Sequence, residues 1–343
     1  MNPVRRPTLA DVAVAAGVSR ATASRALSDN PNVNAETRER VWAAAQRLAF
    51  EPNHLARSLR TRSSRLIGML LPDIAVASYA AALKGAQGVL EQAGYQVMVM
   101  NTERRPEREQ AALRTLYARH VDGVLVATSG GYVDGGVPVV FFDHVLAGRG
   151  LGFTAADNHG GVATLVRHLV EVHGHERIAW LGAPLEAAPG GEPLAHGSAT
   201  ERLEAFRHAM GTLRLPVVPE YLAVGDHAWS DASGGRAVHA LMELSQQPTA
   251  IVAASDTLAL GALRELRRMS RRVPDDVALV AFDDPGDGDL LEPPMTALAR
   301  HYRELGEIGA GVLLSALRDG GGAPQEIRVP LELIVRASCG CRG

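Results

Sequence analysis

Residues 8–27 read TLADVAVAAGVSRATASRAL, and this stretch decides how the N-terminal region folds. Thr8 is placed to cap a helix that begins at Leu9, with Asp11 three positions on as a short capping-box partner. Leu9, Val12 and Ala13 share one face at helical spacing. Gly17 can take the left-handed conformation that ends a helix. Ser19 is then placed to cap a second helix, RATASRAL, only two residues later. Two helices joined by so tight a Gly-containing turn have the helix-turn-helix pattern. Downstream, Asn34 is placed to cap a third helix, AETRERVWAAAQRLAF, in which Val41, Ala45 and Leu48 form the bracing face.

The second helix suits a nucleic-acid groove. Arg20 and Ala21 lie at its start and Arg25 one turn on. A guanidinium fork can bridge O6 and N7 of a guanine, and a small Ala can meet a thymine methyl. Thr22, Ser24 and the helix N-terminus suit phosphate oxygens. The charge distribution agrees. Residues 1–65 hold eleven Arg against five acids, a local +6, while the rest holds 24 Arg or Lys against 33 acids, a local −9. A basic head on an acidic body points to a polyanionic partner at one end.

From Arg65 the pattern changes to strands alternating with helices. LIGMLLPD, YQVMVMN, DGVLVAT, PVVFFD, RIAWLG, AIVAAS and VALVAFDD are short apolar runs rich in Val, Ile and Phe. Such runs indicate parallel strands covered on both faces. Repeated strand–helix units imply an open doubly wound sheet, and the 343-residue length allows two such lobes. Ligands in these sheets bind beyond the carboxyl ends of strands. The candidate groups there are Asp73, Asp143, Ser255 with Asp256, and Asp283 with Asp284. Arg202, in the helix ERLEAFRHAM, and Trp229, in a loop, complete a set suited to sugar hydroxyls and an apolar sugar face.

Other chemistries find no support. No nucleophile elbow, phosphate loop or HExxH motif occurs, so an enzyme is not expected. Cys339 and Cys341 read as two plain thiols. The His173–His175 pair in EVHGHERI reads as a helix-to-strand turn. Neither has further ligands nearby in sequence, so neither a metal nor a cofactor is expected. The opening MNPVRRPTLADVA lacks the apolar core of a secretory signal, and no run approaches the roughly 18 apolar residues of a membrane span, so a cytoplasmic location is expected.

TLADVAVAAGVSRATASRAL followed by NPNVNAETRERVWAAAQRLAFEPNHLARSLR closely resembles the headpiece of the lactose-repressor family of bacterial regulators. The body resembles the same family through DNHGG, HGHERIAWLG, ERLEAF, PTAIVAASDTLALGAL, VPDDVALVAFDD and ELIVRASCG. The resemblance implies an all-α helix-turn-helix headpiece over residues 1–51 and a hinge helix with linker over 52–64. It also implies an α/β, two-lobed, periplasmic-binding-protein-like core over 65–343. The first lobe is expected at about 65–156 and 286–318, the second at about 157–285 and 319–340.

The resemblance further implies a transcriptional repressor that binds pseudo-palindromic double-stranded operator DNA as a homodimer under control of a sugar-like effector. The alternative is a sugar-binding protein without a DNA role. No residues follow ASCGCRG, so the extra tetramerising coiled coil of some relatives is not expected. The DNA-contacting candidates are Thr8, Ser19, Arg20, Ala21, Thr22, Ser24, Arg25, Asn32, Asn53, Ala56 and Leu59, with Leu59 matching a minor-groove wedge. The effector candidates are Ser78, Asp143, Arg202, Trp229, Ser255 and Asp283. Ser255 stands where the family often has Asn, and Val76, Ala77 and Ser78 replace an Asn-Pro-aromatic stretch. The segment TSGGYVDGGVPVV is too short for the usual helix.

Overall fold

The computed structural model describes residues 7–28, 30–50, 63–143, 150–182, 198–224, 230–319 and 325–342. The chain forms two compact units, Met1–Ser64 and Arg65–Gly343.

In the first unit three helices, α1 (Leu9–Ala16), α2 (Arg20–Ala26) and α3 (Ala35–Arg47), follow the predicted caps. The capping box closes: Thr8 Oγ1 accepts from the Asp11 N–H, and Asp11 Oδ2 accepts from the Thr8 N–H at 2.8 Å. Ser19 and Asn34 cap α2 and α3 by accepting from the N–H groups of Thr22 and Thr37. The core is mostly alanine and valine, with Val12, Ala13, Ala16, Ala23, Ala26, Val33, Val41, Ala44 and Ala45 buried. Leu9 and Leu48 pack against it, partly buried. Arg40 donates to the Ala16 carbonyl at 2.8 Å, tying α3 to the end of α1.

Gly17 turns the chain with φ +65, in the left-handed region that costs an L side chain roughly 1–2 kcal/mol. A Cβ there would still have room, because its nearest neighbour would be Arg40 Nη2 at 3.6 Å. Gly17→Ala is therefore expected to destabilise this small unit by about 1 kcal/mol through backbone strain alone. Chemical denaturation of the isolated headpiece measures it, and an unchanged midpoint would show that the turn relaxes freely.

The second unit holds two six-stranded sheets. The first runs in the order β11-β5-β4-β3-β1-β2 and the second β12-β10-β9-β8-β6-β7. In the first, β1 is Leu66–Leu71, β2 Gln96–Asn101, β3 Gly123–Val126, β4 Val139–Phe142, β5 Gly152–Ala156 and β11 Gln325–Val329. In the second, β6 is Ile178–Gly182, β7 Leu222–Val224, β8 Ala250–Ala253, β9 Ala278–Phe282, β10 Thr296–Ala299 and β12 Glu332–Ile334. All pairings are parallel except β10 with β12. The helices are α4 (Ala77–Gln92), α5 (Pro106–Ala118), α6 (Asn158–Arg167), α7 (Ser198–Thr212), α8 (Asp231–Met242), α9 (Asp256–Arg268) and α10 (Tyr302–Asp319). Reciprocal glycines let α4 and α10 approach closely: a Cβ on Gly85 would meet the Arg303 carbonyl, and one on Gly306 the Ala82 carbonyl.

The chain passes between the sheets after β5, after β10 and after β11. Two expected lobe assignments therefore change. Residues 296–299, expected in the first lobe, form β10 of the second sheet. Residues 325–329, expected in the second lobe, pair with β5 in the first. The switch points lie at about 300 and 330, rather than 286 and 319, because strand pairing decides which sheet each segment joins. The short segment between β3 and β4 forms no helix. It folds onto α5 and the sheet instead: the Tyr132 ring meets Phe141 edge to face at 5.2 Å, and the Tyr117 hydroxyl donates to the Val133 carbonyl.

Candidate functional site

On the headpiece, Arg20, Ala21 and Arg25 of α2 are exposed, and Thr22 and Ser24 are partly buried. The small residues that anchor α2, Ala23 and Ala26, face the core, so the Arg face turns outward as the 3.6-residue period requires. The Ser19 and Thr22 hydroxyls lie 2.8 Å apart. Thr8 Oγ1 donates to Asp11 Oδ2, so this hydroxyl spends its proton on the cap and offers a phosphate only its lone pairs. Asn32 is exposed in the turn before α3. Asn53, Ala56 and Leu59 lie outside the described residues.

In the second unit a cavity of about 890 Å³ is lined by strand ends and helix starts from both sheets. It brings together Ser78, Asp143, Arg202, Ser255 and Asp283; Trp229 lies outside the described residues. Asp143 follows β4 and Asp283 follows β9, the corresponding ends of the two sheets. Both take left-handed backbone, with φ +62 and +67. Asp tolerates this region better than most residues, and paired strain of this kind is a feature of ligand sites.

Arg300 bridges the two carboxylates. Its Nη1 donates to Asp143 Oδ1 at 2.6 Å, its Nη2 to Asp283 Oδ2 at 2.7 Å, and its Nε to Asp283 Oδ1. Burial alone would lower the guanidinium pKa, but the charges of Asp283 and Asp143 outweigh it and hold the pKa above its ordinary value. The Arg300 guanidinium lies over the Tyr302 ring at 4.1 Å. Tyr79 donates its hydroxyl proton to Asp143 Oδ2 at 3.0 Å, and burial followed by the Asp143 charge pushes that phenol well up.

Arg202 is 2 % exposed. It donates to the Ala254 carbonyl at 2.6 Å and to Asn158 Oδ1 at 3.3 Å, and stacks over Phe282 at 3.7 Å. Asn158 in turn donates to Glu201, which pairs with Arg328 at 2.8 Å. Ser255 caps α9 by accepting from the Leu258 N–H at 3.2 Å. A hydroxyl used in this way keeps its proton for a ligand but cannot replace a second amide donor. Burial and then the Asp283 charge raise the Asp256 carboxyl pKa beside it. At the other wall, α4 starts at Ala77 with Val76 as an N-cap that offers no side-chain bond.

Sequence reading did not single out Arg300. It follows β10, TALA, which is short and lacks the β-branched run that marks the other strands, so its place at a strand end is hidden in the sequence. Arg300 and Arg202 lie against Asp143 and Asp283, so the two strand-end carboxylates are each met by a guanidinium. Cys339 and Cys341, read from the sequence as two plain thiols, have two histidines beside them. The fold brings both to His168 and His173, with all four potential ligand atoms within 4.8 Å of one another.

Residues 8–53 match the model of bacterial regulatory proteins, lacI family, and residues 166–339 match a periplasmic binding protein-like domain. The HTH-type transcriptional regulator CelR of Thermobifida fusca is 31 % identical over 350 residues, covering 97 % of this chain and 98 % of that protein. The crystal structure of the lac repressor dimer bound to operator and the anti-inducer ONPF aligns with a TM-score of 0.84 at 28 % identity, covering 98 % of this chain and 99 % of that one. A transcriptional regulator CelR–cellobiose complex aligns with a TM-score of 0.69 at 29 % identity, covering 97 % and 100 %. The capped three-helix head, the two doubly wound sheets and this likeness along nearly the whole length agree: the chain belongs to the lacI family of bacterial regulatory proteins.

Proposed function

We propose that this protein is a homodimeric, cytoplasmic repressor whose operator binding is controlled by a small polyhydroxylated effector, a sugar or sugar derivative, and that it carries out no catalysis. The observation that carries the reading is the convergence of Asp143, Asp283, Arg202 and Ser255 on one cavity, in a chain that also presents the exposed Arg20 and Arg25 on a helix-turn-helix. Carboxylates accept from sugar hydroxyls and guanidiniums donate to them. The lac repressor structure contains operator DNA and the CelR structure contains cellobiose, which supports the same pairing of partners here. Among the described residues no helix is long and apolar enough to cross a membrane.

In this reading α2 enters the major groove, with Arg20 at a base edge. Two heads related by a two-fold axis match the two halves of a pseudo-palindrome. Leu59, from a hinge helix too short to be stable alone, wedges into the minor groove once dimer and DNA are present. The effector biases the setting of one sheet against the other, with a coupling of about 1–3 kcal/mol between effector and operator.

Fluorescence anisotropy with duplexes from the protein's own promoter region, over a salt series and a panel of sugars, tests this. Salt-sensitive binding that one sugar shifts is expected, and Asp283→Asn is expected to keep operator binding while losing the sugar response. Absence of salt-sensitive DNA binding under every condition would instead favour a sugar-binding protein with no DNA role. A sugar response intact in Asp283→Asn would move the effector site elsewhere.

A further inference from the structure

The C-terminal tail meets the end of α6 in a cluster that the repressor reading does not use. A π-helical turn, His168–Val172, continues α6 and is followed by His173. In an ordinary α-helix residues five apart sit about 140° from each other around the axis. The wider π turn closes its hydrogen bonds from i to i+5 and so returns His173 to the side of His168. The two rings meet edge to face, with centroids 5.1 Å apart. Opposite them, Ser338 pins the tail to the second sheet: its hydroxyl donates to the Leu279 carbonyl at 2.6 Å and accepts from the Thr296 N–H at 2.8 Å. Cys339 and Cys341 follow, separated only by Gly340 at φ +108, a conformation nearly closed to L residues. A Cβ on Gly340 would sit 3.2 Å from His173 Nδ1, so the turn both needs glycine and lies tight against the imidazole.

The resulting distances have the scale of a metal site. His168 Nε2 lies 3.4 Å from Cys339 Sγ and 3.7 Å from Cys341 Sγ, and His173 Nε2 lies 3.4 Å from Cys341 Sγ. A tetrahedral ion with Zn–S bonds of about 2.3 Å and Zn–N bonds of about 2.0–2.1 Å sets each S···N edge at roughly 3.6 Å. The H-x4-H spacing falls in the range of structural zinc sites, and C-x-C is one residue shorter than usual, a shortening that Gly340 permits. Thr296 Oγ1, 3.2 Å from Cys339 Sγ, supplies an outer contact of the kind that orients a metal-bound sulfur.

We propose that His168, His173, Cys339 and Cys341 form a four-coordinate site for a thiophilic divalent cation, Zn2+ foremost, that clamps the C-terminal tail to the end of α6. Two thiolates and two imidazoles favour zinc over hard cations such as Mg2+ or Ca2+. Four protein ligands leave no open position, so the role is structural. The clamp closes a loop of some 170 residues between α6 and the tail, the case in which a cross-link restricts the unfolded chain most.

The test uses the full chain, purified without an affinity tag that binds metal. Elemental analysis is expected to find one zinc per chain. The stripped protein is expected to take up one Co2+ with the visible bands of a four-coordinate ion and the near-ultraviolet thiolate charge transfer. Zinc is expected to raise Tm by several degrees over the stripped protein. Cys341→Ser and His173→Ala, at partly buried positions, are expected to weaken metal binding by more than about 100-fold, beyond the range that outer-shell changes produce. Both are also expected to remove the zinc-dependent rise in Tm. No stoichiometric metal, a cobalt spectrum unchanged by either substitution, or a Cys339–Cys341 disulfide in freshly prepared protein would each overturn the proposal.

Discussion

Arg300→Ala is expected to destabilise the Arg65–Gly343 unit by about 3–5 kcal/mol, the cost of leaving buried charge without its partner. Arg300 is 6 % exposed, and the Asp143 and Asp283 side chains it joins are 4 % and 16 % exposed. Its removal takes the shared guanidinium from two carboxylates at the cavity, while Arg202 Nη1 still lies 3.8 Å from Asp283 and the Tyr79 hydroxyl still donates to Asp143. For a unit of this size the loss corresponds to a fall in Tm on the order of 10 °C, readable by calorimetry. The same substitution in an Asp143→Asn, Asp283→Asn background should cost far less, because no uncompensated charge then remains. Asn also accepts the left-handed backbone at both positions, so the double variant adds little strain. A loss below about 1 kcal/mol in the otherwise unaltered protein would show that water already screens the bridge.

The second large effect concerns DNA. Arg20→Ala is expected to weaken binding by about 1–3 kcal/mol and to relax the base preference at one position in each half-site, while a duplex already altered there loses little. The expectation rests on exposure at the start of α2, on a face set by the burial of Ala23 and Ala26. Binding to a panel of single-base operator variants measures it. Uniform weakening across the panel, with a reduced dependence on salt, would make Arg20 a phosphate contact instead.

Much of this was legible because it is local. The three head helices are capped by Thr8, Ser19 and Asn34, and each cap forms with a residue three positions on. Asp143 and Asp283 follow their strands directly and Ser255 stands two residues beyond its own, so recognising each apolar run also placed its terminal polar group. Arg300 escaped because β10, TALA, is short and lacks the run of branched apolar residues that marks the other strands, and the lobe boundaries shifted because β10 and β11 are assigned by partners far away in the chain. The spacing within the His168–His173 and Cys339–Cys341 pairs suits metal ligands, but nothing local in the sequence brings the two pairs together.

The sequence by itself determined the helix-turn-helix, the doubly wound character of the body and several of the polar groups that line the cavity. These follow from caps, periodicity and strand ends, each spanning a few residues. Only the tertiary structure decided that one guanidinium holds the two strand-end carboxylates, and that a π turn and a glycine kink gather two imidazoles and two thiols. The physical reason is the same in both cases. Electrostatic pairing and metal geometry act over about 2–4 Å in space, whereas the partners stand 157 and up to 173 residues apart along the chain.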